Sequence, residues 1–95
     1  MENALPTNAL PAWEAYTTMG VTKKRYFEYL QHLEQKYKKY GQPNSQEQTT
    51  LDNLLQQHDT QVTAFNIAVQ KLRIADPSAY AALVRRLSLE STLNA

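Results

Sequence analysis

The strongest constraint in this 95-residue chain is an apolar stripe running without interruption through residues 51–72. Leu51, Leu55, His58, Val62, Phe65, Val69 and Leu72 are spaced alternately by four and three residues, and no glycine or proline falls among them. That spacing puts every member on one face of an α-helix but scatters them over both faces of a strand, so it selects helix. Leu54, Ala68 and Ala75 widen the face. The spacing predicts a helix over about 46–75, with an apolar side that something must cover.

A second stripe of the same period lies upstream, at Tyr26, Leu30, Leu33, Tyr37 and Tyr40. Thr22 is placed to cap that helix, and Gly41 with Pro43 ends it. Asn44 with Glu47, or Ser45 with Gln48, has the spacing of a capping box for the long helix. A connection of about five residues favours an antiparallel helical hairpin. Asp76-Pro77 breaks the long helix, because proline disfavours the helical region for the residue before it and aspartate is a good N-cap. A last helix over about 77–91 follows, with Tyr80, Leu83, Val84 and Leu87 on one side. Upstream, Pro11 suits a first helical turn, and residues 11–19 read as a short helix closed by Gly20. Residues 1–10 read as a flexible leader, and 11–95 as one helical domain.

The expected fold is therefore all-α: a small bundle of about four helices built on a long antiparallel hairpin. The long helix outruns its partner by roughly ten residues. The overhang around Phe65–Leu72 calls for cover from the flanking helices, a second copy or another protein. This favours a homodimer or hetero-complex over a monomer.

Several function classes are excluded or left without support. The chain has no cysteine, so disulfides, thiol catalysis and Cys-based zinc sites are absent. It shows no phosphate-binding loop, dinucleotide fingerprint or nucleophile elbow. No cofactor, metal or small-molecule substrate is indicated, and an enzyme is not expected. His58 lies on the apolar seam without a second ligand at metal spacing, so a half-buried, hydrogen-bonded histidine is the expectation. No signal peptide is apparent, no apolar run reaches the ~20 residues needed to span a bilayer, and a cytoplasmic location is the default.

Net charge is only +1, yet residues 23–40 carry six basic and two acidic side chains. A basic helix face containing Lys24, Lys36 and Lys39, together with the overhang residues Phe65 and Leu72, is the expected partner-binding surface. The expected function is a non-enzymatic interaction module, such as an adaptor, a small chaperone or a regulator. Trp13 is expected to anchor the first helix to the core.

One alternative rests on the stretch AYTTMGVTKKRYFEYL at residues 15–30. A short helix, a Gly20-Val21 turn, Thr22 and a basic helix resemble the bacterial helix-turn-helix pattern in outline. The resemblance implies a DNA-binding regulator using residues 12–31. Thr22, Lys23, Lys24, Arg25, Phe27, Glu28 and Gln31 would then face the major groove.

Overall fold

The computed structural model describes residues 5–94. Secondary structure among them is helical: a single 3-10 turn at Thr7–Ala9, then α1 (Leu10–Lys36), α2 (Ser45–Ala75) and α3 (Pro77–Asn94). The chain divides into two compact units. One combines the two ends of the chain, up to Tyr16 and from Ala64 on, and the other is Thr17–Thr63.

The all-α expectation holds, with three α-helices rather than about four. The difference lies at Gly20. The expected short helix and basic helix are one continuous 27-residue helix, α1, and Gly20 keeps a negative φ inside it. Glycine in a helix costs about 1 kcal/mol relative to alanine, which weakens a helix without ending it. Thr22, expected as a cap, instead donates its hydroxyl to the Met19 carbonyl at 2.9 Å, a side-chain bond made within a continuing helix. Its side chain is buried on the α2-facing side, where it meets His58.

Within the Thr17–Thr63 unit, α1 and α2 run antiparallel. Thr22 lies opposite His58, and Lys36 lies opposite Glu47. The seam is carried by Tyr26, Tyr29, Leu30, Leu33, Leu51, Leu54, His58 and Val62, with Leu33 the buried apolar member. Two seam positions depart from expectation. Tyr40 is 85% exposed and Leu55 is 39% exposed. Tyr40 lies beyond the end of α1, which stops at Lys36 rather than near residue 40.

The connection to α2 is closed by Glu47. Its backbone N–H donates to Asn44 Oδ1 at 2.7 Å, and its own Oε1 accepts from the Asn44 N–H at 3.0 Å. That reciprocal pair is the capping box, made by Asn44 and Glu47 rather than by Ser45 and Gln48. The same carboxylate accepts from Lys36 Nζ at 2.6 Å and from the Tyr37 hydroxyl at 2.5 Å. Gly41 sits in the turn at φ +97°, a conformation glycine adopts without a Cβ penalty.

The other unit holds the larger core. Ala9, Ala12, Leu72, Ala79 and Leu83 are buried, with Leu5, Trp13, Ala68, Val69, Tyr80 and Leu87 packed against them. The segment expected to be a flexible leader includes core residues. Thr7–Ala9 makes a helical turn and Ala9 has no exposed surface, because a small side chain there lets the turn approach Ala79 and Leu83 closely. The part of that leader at residues 1–4 lies outside the described residues. α3 begins where proline requires. Asp76 caps it by accepting from the Ala79 N–H at 3.1 Å, and its other oxygen accepts from Asn8 Nδ2 at 2.9 Å. One aspartate thus starts a helix and ties down the N-terminal turn. Both hydrogen bonds, Asn8 the larger influence, hold its carboxyl below the ordinary value.

Candidate functional site

The side chains expected to bind a partner are divided between the two units, Lys24, Lys36 and Lys39 in Thr17–Thr63 and Phe65 and Leu72 in the other. Lys24 is exposed and makes only a long contact, 4.0 Å, to Glu28 one turn on. An exposed pair of that kind is worth little. Lys36 is committed to Glu47, while Lys39 lines a concavity in the following turn. Phe65 is half-buried, its ring 6.0 Å from that of Tyr16, which in turn lies 5.1 Å from Trp13. Leu72 is 5% exposed and belongs to the core. On its seam side, at Phe65, Val69 and Leu72, the long helix is covered by Ala12, Trp13, Tyr16 and α3. The covering residues of α1 lie in its first two turns, upstream of Gly20. Trp13 is a core-edge residue as expected, and the Arg86 guanidinium lies 4.9 Å from its ring centre.

The helix-turn-helix arrangement is absent. Residues 12–31 lie within the continuous helix α1 with no turn among them, and a recognition helix cannot be offered by a corner that does not exist. Thr22 is buried, while Lys23, Lys24, Arg25, Phe27, Glu28 and Gln31 are exposed. Thr22 and Arg25 line a polar groove of about 540 Å³ with Thr18, Asn53, Gln56, Gln57, Thr60 and Gln61. His58 Nδ1 lies 3.0 Å from the Thr22 hydroxyl. Among the described residues no group of three or more His, Cys, Asp or Glu side chains is arranged to hold a metal ion. No helix of the described residues is long and apolar enough to cross a membrane.

The most distinctive surface feature is an apolar groove in the unit formed by the chain ends. Asn8, Pro11 and Ala12 form one wall, and Ala64, Ile67, Ala68, Lys71, Leu72 and Ala75 the other, around about 600 Å³. Small side chains make it concave: where helices carry alanine, the backbones and their neighbours' flanks are open to a third element. Leu10 is 42% exposed on α1, and on α2 Ile67 and Ile74 are 51% and 79% exposed. Lys71 is the one charged lining residue, and it has no ion-pair or hydrogen-bond partner among the described residues.

A signal for this surface was present in the sequence. Ala64, Ile67, Lys71 and Ile74 are spaced by three, four and three, a second stripe displaced by two residues from the seam at 62, 65, 69 and 72. Two residues are about 200° of helical turn, so the second stripe faces away from the first. A core needs only one such face.

No family model matches the chain, and neither any curated protein nor any solved structure matches it significantly.

Proposed function

We propose that the chain is a small helical interaction module, without catalysis of its own, that receives an amphipathic helix of another protein in the groove between Pro11 and Ile67. The observation that carries this reading is Ile67, half exposed in a concave wall lined by alanine, with Ile74 exposed two turns on along the same helix face. Covering the exposed parts of the two isoleucines is worth about 3 kcal/mol at the usual ~1.5–3 kcal/mol per fully buried side chain. That is enough to matter in an interface and too little to make one alone, so the groove floor must be filled as well.

Charge argues for a different protein over a second copy. An antiparallel pairing that sets Ile67 against Ile74 of another copy brings the two Lys71 ammoniums within one turn of each other. Like charges there oppose association. A partner helix with leucine-like residues at i, i+3, i+4 and i+7 and one flanking glutamate satisfies both the apolar wall and Lys71.

Two designed amphipathic peptides test the reading, identical except for Glu or Lys at the position facing Lys71. Amide NMR shifts should move at Ala64, Ile67 and Lys71 with the Glu peptide, and Lys71→Glu should reverse the preference. Failure of both peptides to bind at millimolar concentration would refute it. So would a concentration-dependent dimer abolished by Ile67→Asp/Ile74→Asp, which would make the occupant a second copy.

A further inference from the structure

Cations gather where α1 ends. Lys36, Lys38 and Lys39 stand within four residues, and with Gln35 and Tyr40 they line a concavity of about 360 Å³. Lys36 is already used: it complements the carbonyl end of α1 and pairs with Glu47. Lys38 and Lys39 lie past the helix and have no ion-pair or hydrogen-bond partner among the described residues. Two neighbouring ammoniums with no counter-charge repel, and an anion placed between them relieves both. Beside them Tyr40 is 85% exposed, so its ring adds nothing to the core and is available to stack.

We propose that this turn binds single-stranded nucleic acid, with backbone phosphates on Lys38 and Lys39 and a base stacked on Tyr40. The combination of cations along a concave surface with an open aromatic ring is what sequence-tolerant single-strand binding requires. A duplex keeps its bases stacked on one another and offers no free base face to Tyr40. An acidic peptide would satisfy the lysines but leave the ring unused. The local charge supports the choice, since residues 23–40 hold six of the ten basic side chains of the whole chain.

The test is fluorescence anisotropy with labelled oligodeoxythymidine of ten nucleotides at 50 mM salt, using the intact chain. With two phosphates neutralised, the logarithm of the affinity should fall with the logarithm of salt at a slope of about −1.4. Lys38→Ala/Lys39→Ala should abolish both binding and slope. Tyr40→Ala should weaken binding about 5-fold or more while Tyr40→Trp retains it, the signature of stacking. Ile67→Asp/Ile74→Asp should leave it unchanged, which separates this site from the apolar groove. Absence of binding at 50 mM salt, equal affinity for duplex DNA, an unaffected Tyr40→Ala variant, or capture by phosphatidylserine vesicles without oligonucleotide binding would each overturn the proposal.

Discussion

Replacing Gly20 with alanine tests the continuity of α1 through the sign of its effect. In the continuous helix Gly20 has a negative φ, and a Cβ built on it meets nothing within 4 Å. No contact is made or lost, so the change reduces to helix propensity, which favours alanine by about 1 kcal/mol. For a chain of this size that raises the melting temperature by about 4–8 °C. Had the chain turned at Gly20 in the left-handed conformation that closes many helices, alanine would instead cost about 1–2 kcal/mol. The two geometries therefore differ by about 2–3 kcal/mol and in direction. Urea denaturation followed by circular dichroism at 222 nm reads it directly, and an unchanged m-value would show that only stability moved. A second variant, Gly20→Pro, should lose about 3 kcal/mol inside a helix. A destabilised Gly20→Ala, or a tolerated Gly20→Pro, would refute the continuous helix and restore the corner on which the helix-turn-helix resemblance depends.

Gly41→Ala should act in the opposite sense. At φ +97° a Cβ is strained and would stand 3.1 Å from Tyr37 Cδ1, so a loss of about 1 kcal/mol or more is expected in the same denaturation assay. The Glu47 cluster makes stability depend on pH. Lys36, Tyr37 and the Asn44 N–H hold its carboxyl at about 2, down from 4.5, so its contribution is complete above the unfolded value and is lost as pH falls towards 2. The same contacts raise Tyr37 and Lys36 above their ordinary values, so their share is present below pH 10 and is lost in strong base. Glu47→Gln should flatten the acid limb of a plot of melting temperature against pH. Leu83→Ala removes a side chain with no exposed surface and should cost about 2–5 kcal/mol, against under about 1 kcal/mol for Leu89→Ala, which is half exposed, by thermal denaturation.

Local chemistry made several features legible in advance. Asp76-Pro77 breaks the helix in any surroundings, because the proline ring excludes the preceding helical turn and the carboxylate supplies the missing acceptor. The capping box needs only residues three apart, and Asn44 and Glu47 make it. The seam at 51–72 selected helix because its period is a property of the backbone, and all its members except Leu55 are at least half-buried. The candidate groove was only half legible. Its stripe at 64, 67, 71 and 74 has the same period as the core, and period alone does not say which of two apolar faces is covered.

The sequence by itself settled the class of the fold, where α2 starts and where α3 begins, since those follow from spacings and caps within a few residues. Only the tertiary structure decided the fate of Gly20. A glycine is locally acceptable both inside a helix and just past its end, and the difference of about 1 kcal/mol is smaller than the gain from burying one side chain. In the fold α1 runs on through Gly20, and two residues later Thr22 is buried against His58, 36 residues away. The same long helix then covered Leu72 and left Ile67 and Ile74 exposed.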